Sequence, residues 1–308
     1  MKYFKSSVKN TLIYTLAFSL VLATTPVLAQ GPDRVAATLS TPGTERGLVL
    51  PPAADNSNVI SLGQAVDPQS GKVVEGFAIV HPKKAKGKPD GTPGNGGGGG
   101  KGNGGGGGGG GGGDDTSSCY GFLAKDAKWK NVEDWIVNPD NNDGISDASV
   151  LSILSGGVDK WEDAADGEVD DGNSVNIVGS GSITGATLVA DEVSPDGLNE
   201  VYFGSINGGD AIGVTIVWGI FSGKPANRVL VEWDQIYDDE AFDWSDVGAA
   251  NLMDLENIVV HELGHTMGLG DLYTAECADE TMYGYGTEGE TKKRDLNAGD
   301  IAGISKLY

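Results

Sequence analysis

The stretch that decides the fold is residues 254–271, which read DLENIVVHELGHTMGLGD. Apolar residues recur in it at helical spacing and its first residue is a capping aspartate, so residues 254–267 are predicted to form a helix. Residues four apart share one face of a helix, so the imidazoles of His261 and His265 can bind one zinc ion. Glu262 lies beside the first histidine, where its carboxylate can act as a general base on water held by zinc.

The residues after this helix offer a third ligand. A catalytic zinc site has three protein ligands and one open position. Gly268 can end the helix in a left-handed turn, and Asp271 follows three residues later with a carboxylate that can complete the set. Because the match extends over eleven positions, from His261 to Asp271, an ordinary surface pair of histidines is the weaker interpretation. The remaining histidine of the chain, His81, lies far upstream.

Glycine and charge divide the chain into unlike parts. Residues 91–113 hold 18 of the 50 glycines without a Gly-X-Y repeat, which excludes a collagen-like chain and predicts a flexible linker over 91–118. The net charge is −23, and residues 119–308 contain 36 acidic and 10 basic side chains. Such an excess of acid argues against a nucleic-acid binder, because binding to phosphates requires clustered Lys and Arg. Residues 119–308 are enough for one domain with its own core.

The N-terminus has the features of an export signal. Residues 1–29 combine three lysines, an uncharged apolar stretch over 11–23 and small residues at the end, so cleavage is predicted after Ala29 and the mature chain is expected to be secreted. An uncleaved membrane anchor is the alternative, and no other segment is apolar enough to span a membrane. Residues 30–90 have only short apolar runs and are expected to be a poorly structured pro- or accessory segment, or a tethered recognition module.

The chain has two cysteines, Cys119 and Cys277. In an oxidising compartment they can form a disulfide, which would close a loop of about 160 residues. The alternative is that Cys119 is a free thiolate that caps a metal. No arginine or proline frames Cys119 to fix such a loop, so the disulfide is favoured.

The zinc motif and its surroundings resemble a known family. The pattern from His261 to Asp271 is similar to the metzincin zinc motif in the variant with aspartate as the third ligand. Glu280-Thr281-Met282-Tyr283-Gly284 resembles the metzincin Met-turn, and residues 296–308 resemble the closing helix of matrixin-type peptidases. The resemblance covers residues 119–308 and extends upstream to a strand at 129–137, a long helix at 146–165, and strands at 198–204, 211–218 and 228–237.

The resemblance implies an α/β (α+β) fold, namely a metzincin-like catalytic domain with a mixed, twisted five-stranded sheet, an active-site helix, a Met-turn and a C-terminal helix. It also implies a monomeric zinc endopeptidase that acts on proteins or peptides. Glu262 would activate the attacking water and pass its proton to the leaving amine, and Met282 would lie beneath the metal. The strand at 211–218 would form the edge of the cleft and bind substrate as an added antiparallel strand.

The resemblance is incomplete at several points. Asp271 stands where histidine is commoner and adds negative charge at the metal. Residues 30–118 lack the cysteine-containing latency motif, so a propeptide there would inhibit in another way or not at all. Asp238-Asp239-Glu240 could hold a calcium ion or form an acidic surface turn. The alternative function is an exported surface-binding module with a structural zinc, which would need a fourth protein ligand.

Overall fold

The computed structural model describes residues 47–50, 58–83, 118–207 and 210–308. The predicted signal peptide, its cleavage position after Ala29 and the glycine tract at 91–113 lie outside these ranges. Within them, no helix is both long and apolar enough to cross a membrane.

The described part of the chain contains three α-helices, α1 (Asp147–Ala164), α2 (Leu255–Thr266) and α3 (Ala298–Leu307). Its strands are β1 (Gly47–Leu48), β2 (Val59–Val66), β3 (Val73–Pro82), β4 (Trp135–Asn138), β5 (Gly181–Ile183), β6 (Asn199–Ile206), β7 (Ala211–Ile220), β8 (Val229–Asp238), β9 (Trp244–Ser245) and β10 (Met253–Asp254).

Eight of the described strands form one mixed sheet in the order β2-β3-β7-β8-β6-β4-β5, with β1 paired to the end of β6. Strands β5, β4, β6 and β8 are parallel, and β7 runs antiparallel to β8. These five strands, together with α2 and α3, make up the predicted mixed α/β architecture, which is thereby confirmed. The remaining strands β1, β2 and β3 extend the sheet beyond the five that were predicted.

The first predicted strand is shorter than expected. It was predicted over 129–137 and is observed as Trp135–Asn138, because residues 130–134 are mostly polar and show no alternation of buried and exposed positions. The long helix α1 agrees closely with the prediction, and Ser146 caps it by accepting the backbone NH of Ser149.

The N-terminal region is more ordered than the sequence predicted. Residues 58–83 were expected to be poorly structured or to form a tethered module, but β2 and β3 belong to the main sheet. The reason is that β3, with the sequence VVEGFAIVHP, is rich in β-branched residues and pairs along the outer side of β7. Short segments of this kind lack a core of their own and gain one from the neighbouring sheet.

Helices α1 and α2 pack together on one face of the sheet. Gly157 of α1 permits this close approach, since a Cβ there would lie 2.6 Å from a methyl carbon of Leu263. The indole of Trp161 donates a hydrogen bond to the carbonyl of Val260, so the two helices are also joined by a buried polar contact of 2.8 Å. This packing fixes the helix that carries the zinc motif.

The predicted disulfide between Cys119 and Cys277 is present, with the two Cα atoms 5.5 Å apart. It joins the start of the predicted catalytic domain to the segment just before the Met-turn. The alternative of a free Cys119 thiolate on a metal is therefore wrong.

Candidate metal centre

Helix α2 begins and ends as its sequence predicts. The Asp254 carboxylate accepts the backbone NH of Asn257 and also pairs with Arg294, which fixes the start of the helix. At the other end Gly268 has φ +102° and donates its backbone NH to the carbonyl of His265. A Cβ at this glycine would lie 2.9 Å from the carbonyl oxygen of Ala127, so both the turn and the close approach require glycine. The chain then doubles back toward the helix.

This turn brings the three predicted ligands together. Asp271 Oδ1 lies 3.2 Å from His261 Nε2 and 3.4 Å from His265 Nε2. All three atoms are buried, and none has a hydrogen-bond partner of good geometry. Ligands at 2.0–2.1 Å in a tetrahedral zinc site are separated by about 3.3 Å, so the spacing of these atoms fits the ion.

The hydrogen bonds of the two histidines point their free nitrogens inward. His261 Nδ1 lies 2.7 Å from the carbonyl oxygen of Thr281, and His265 Nδ1 lies 3.0 Å from that of Leu269. A carbonyl can only accept, so each Nδ1 carries the proton and each Nε2 presents a lone pair. Carbonyl groups behind the histidines therefore hold both rings in the tautomer that a metal requires.

Glu262 lies beside these ligands with its carboxylate aimed at strand β7. One oxygen, Oε2, accepts a hydrogen bond of 2.5 Å from Thr215 Oγ1, and the other, Oε1, lies 3.2 Å from His81 Nδ1. Burial raises the pKa of Glu262 to about 7. Gly213 also faces this carboxylate, since a Cβ there would lie 3.3 Å from Oε1. A carboxylate with such a pKa can take up and release a proton near neutral pH.

The Met-turn lies directly beneath α2. A Cβ at Gly264 would lie 2.1 Å from Met282 Sδ, so the sulfur occupies the space that a side chain would need. The turn is held by Asp300 of α3, whose carboxylate accepts the backbone NH groups of Thr281 at 2.7 Å and Met282 at 3.1 Å. The same Thr281 uses its carbonyl to hold His261. The C-terminal helix thus supports the predicted ligand His261 through a chain of hydrogen bonds.

Three residues at the site were not predicted from the sequence. His81 was considered too distant, but β3 places it against Glu262, with its ring centroid 3.9 Å from that of His261. Lys293 is fully buried and donates to the carbonyl oxygens of Tyr283 and Tyr285. Thr215 lies in the predicted strand 211–218, to which no catalytic residue was assigned. Among the three residues, the one sequence signal was the apolar run before His81. Such a run is typical of a strand but does not indicate which strand it pairs with.

The calcium candidate Asp238-Asp239-Glu240 forms a turn. Asp238 Oδ1 accepts the backbone NH groups of Glu240 and Ala241, at 3.0 and 2.9 Å, and Oδ2 accepts that of Ile206. Peptide NH groups thus use both oxygens, as expected for the acidic-turn alternative. Calcium binding here is unsupported.

A separate group of carboxylates lies on the sheet face that points away from α2. Asp191, Glu232 and Asp234 place oxygens within 4.8 Å of one another, and Glu232 Oε1 is buried without a hydrogen-bond partner. Burial raises the pKa of Glu232 to about 10 and that of neighbouring Glu200 to about 7. The folded protein therefore favours the protonated form of these groups.

The part of the chain that holds the candidate metal centre is similar to known proteins. Residues 222–308, which include α2, the turn to Asp271 and the Met-turn, match the family model of the matrixins. A stretch of 68 residues is 35% identical to Metalloendoproteinase 4-MMP from Arabidopsis thaliana. That match covers 22% of this chain and 19% of the plant protein, so this chain spans about a fifth of its relative's length.

Proposed function

We propose that this matrixin-like chain is a zinc-dependent endopeptidase, with His261, His265 and Asp271 as metal ligands and Glu262 as the general base. The observation that supports this best is the convergence of three unpartnered, buried ligand atoms beside a carboxylate with a near-neutral pKa. Zinc bound there would act as a Lewis acid that polarises a carbonyl and lowers the pKa of water.

Other residues at the site would transfer protons and position the reacting groups. Glu262 takes the proton of the attacking water and returns it to the leaving amine, which its pKa of about 7 permits in both directions. Thr215 holds one carboxylate oxygen of Glu262, which leaves the other, now facing His81, free to accept the proton of water. Met282 and Asp300 position α2 and the first histidine from below.

The peptide substrate would bind by strand addition. Strand β7 passes beside Glu262, and the side of its backbone opposite β8, which β3 pairs in this structure, is the side that a substrate would use. An extended peptide paired there would lie next to the general base. We propose that protein or peptide chains in an extended conformation are the substrates, and that residues 119–308 form the catalytic domain.

The alternative of a structural zinc requires a fourth protein ligand. His81 is the nearest candidate, because it groups with His261 and Glu262 within 4.8 Å. However, its Nδ1 faces Glu262 Oε1 at 3.2 Å and its Nε2 faces Lys293 Nζ at 3.3 Å, so both ring nitrogens already have neighbours. This arrangement favours the catalytic interpretation.

We also propose that the protein is secreted and functions as a monomer. The N-terminal sequence with its predicted cleavage after Ala29 supports export, and the Cys119–Cys277 disulfide suits an oxidising compartment. N-terminal sequencing of protein recovered from the culture medium tests the cleavage position. A start at Met1 would contradict it.

The decisive experiment replaces the general base. Zinc-loaded wild-type and Glu262→Gln chains are compared for hydrolysis of unfolded casein and for bound zinc by mass spectrometry. We expect one zinc per chain in both and a loss of roughly 10²–10⁴-fold in hydrolysis for the variant. Glu256→Gln, at a half-buried position in the first turn of the same helix, is the control and should hydrolyse casein as wild type does. Hydrolysis by Glu262→Gln at a measurable rate equal to that of wild type would refute the mechanism.

A further inference from the structure

The outer side of strand β7 is already paired, by strand β3 of the same chain. The two strands are antiparallel and in register from Glu75 opposite Gly219 to His81 opposite Gly213. Antiparallel pairing at this position is the mode proposed above for a substrate. The segment that precedes the catalytic domain therefore uses the hydrogen-bonding side that a peptide substrate would need.

The last residues of β3 also occupy the space next to the carboxylate of Glu262, the proposed general base. His81 is 1% exposed, and its Nδ1 lies 3.2 Å from Glu262 Oε1. Its ring lies against that of His261, with the centroids 3.9 Å apart. Water and a scissile carbonyl would have to occupy this region between Glu262 and the metal ligands. In this structure an imidazole occupies it.

A second contact comes from Asn58, at the start of the hairpin that β2 and β3 form. Asn58 Nδ2 donates a hydrogen bond of 2.7 Å to the hydroxyl of Tyr273, which in turn donates one of 2.9 Å to Asp271 Oδ2. The segment 58–83 therefore reaches both the general base and the third ligand. These two contacts are independent of the backbone pairing with β7.

A buried lysine anchors the blocking histidine. Lys293 Nζ lies 3.3 Å from His81 Nε2 and donates to the carbonyl oxygens of Tyr283 and Tyr285. Lys83, two residues after His81, forms a surface ion pair of 2.6 Å with Glu288. The end of β3 is therefore held to the segment that follows the Met-turn by a buried contact at His81 and by a surface ion pair at Lys83. With β3 in place, His261, Glu262 and His265 are buried, so a peptide must compete with β3 to reach them.

We infer that residues 58–83 act as an internal inhibitor of the proposed peptidase, with β3 in the substrate position and His81 as the blocking side chain. The inference rests on the proposed function. The folded full chain is a latent form, and displacement of β3 from β7 exposes the catalytic residues. Inhibition needs no cysteine, because β3 pairs with the edge of β7 and the imidazole of His81 lies against Glu262.

Gly76 offers a way to loosen β3 without touching the metal centre. A Cβ at Gly76 would lie 2.6 Å from Cη2 of Trp218 on β7, so a side chain there forces the two strands apart. The test compares zinc-loaded full chains of wild type, Gly76→Leu and His81→Ala. Gln64→Leu is the control, because it introduces the same leucine side chain at an exposed position of β2. Circular dichroism verifies that each variant folds.

Three readouts are used: casein hydrolysis, the rate of zinc removal by 1,10-phenanthroline, and hydrogen exchange of the β7 backbone NH groups. We expect Gly76→Leu to raise all three rates by roughly tenfold or more, and the control to leave them unchanged. His81→Ala is expected to speed hydrolysis and zinc removal while most of the β3 pairing persists.

The outcomes separate the inference from the proposed function. Faster zinc removal and exchange without any hydrolysis would support the block and overturn the peptidase assignment. Glu262-dependent hydrolysis by wild type that neither variant increases, with zinc removal unchanged, would overturn the inhibitor and leave the peptidase standing.

Discussion

Met282 Sδ occupies the position that a side chain at Gly264 would take, with only 2.1 Å between the sulfur and an ideal Cβ. Gly264 lies between the two histidine ligands of the zinc motif. The glycine of this motif is therefore a packing requirement of the Met-turn beneath the helix.

The first prediction concerns this contact. Gly264→Ala is expected to lower the free energy of unfolding by about 1–3 kcal/mol, because the new methyl group must displace Met282 or tilt α2. Tilting α2 would also weaken zinc binding. Gly156→Ala on α1 is the control, since a Cβ there meets nothing within 4 Å and the change should stabilise by about 0.5–1 kcal/mol. Urea unfolding measures both, and equal stability of the two variants would contradict the packing argument.

The second prediction concerns the support of His261 from α3. Asp300→Asn replaces a carboxylate that accepts the NH groups of Thr281 and Met282, so one NH group would face an amide donor. Since the Thr281 carbonyl orients His261, we expect zinc affinity to fall by roughly 10–100-fold. Competition with a chromogenic chelator measures the Kd. Asp295→Asn, whose side chain is 92% exposed, should keep the wild-type Kd, and a similar loss there would disprove a specific role for Asp300.

The third prediction is a pH dependence of stability from the carboxylates around Glu232. Burial raises its pKa from 4.5 to about 10, so the folded state holds a proton that the unfolded state releases above pH 4.5. Its stabilising contribution is therefore fully present below about pH 4.5 and is lost as pH rises toward 10. The charged groups that act on Glu232 are Asp234 and Asp191.

Urea unfolding at pH 5 and pH 9 tests this sign. Wild type should lose at least about 1.4 kcal/mol more than Glu232→Gln over this range, which corresponds to one pKa unit. The neutral amide of the variant retains an acceptor for the NH of Gly197. Glu240→Gln, at an exposed position, should follow wild type. A parallel decline in all three proteins would mean that Glu232 is not the titrating group.

The fourth prediction concerns the disulfide. The pair of changes Cys119→Ser and Cys277→Ser is expected to cost about 4–5 kcal/mol, because the bond closes a loop of 158 residues in the unfolded chain. Reduced wild type, measured in the same urea titration, should agree with the double variant. A loss below about 1 kcal/mol would indicate that the unfolded chain is already compact around this loop.

The parts of the site that could be predicted from the sequence are local in the chain. His261 and His265 are one helical turn apart, and Asp271 follows a glycine turn, so spacing alone brings their ligand atoms together. Helix α1 and strands β6, β7 and β8 were found for a similar reason, because each shows a regular apolar pattern over a sufficient length.

The parts that could not be predicted depend on distant pairing. His81 and Glu262 are 181 positions apart, and no periodicity indicates which strand β3 will join. The apolar run in β3 predicted a strand at most. The side of β7 that pairs with β3 was instead predicted to bind substrate, because its backbone groups require an extended strand as partner in either case. Lys293 was overlooked because a lysine among three basic residues ordinarily lies on the surface.

The covalent connection between β3 and the cleft has a kinetic consequence. A substrate competes with a strand whose local concentration is set by the connection and is independent of how much protein is present; for short tethers such effective concentrations are on the order of millimolar. One cut between Lys83 and Ser118 would leave every contact of β3 intact, yet would turn the competition into an ordinary bimolecular one. Dilution would then favour dissociation of the segment that contains β3. The cleaved protein would therefore become more active as its concentration falls.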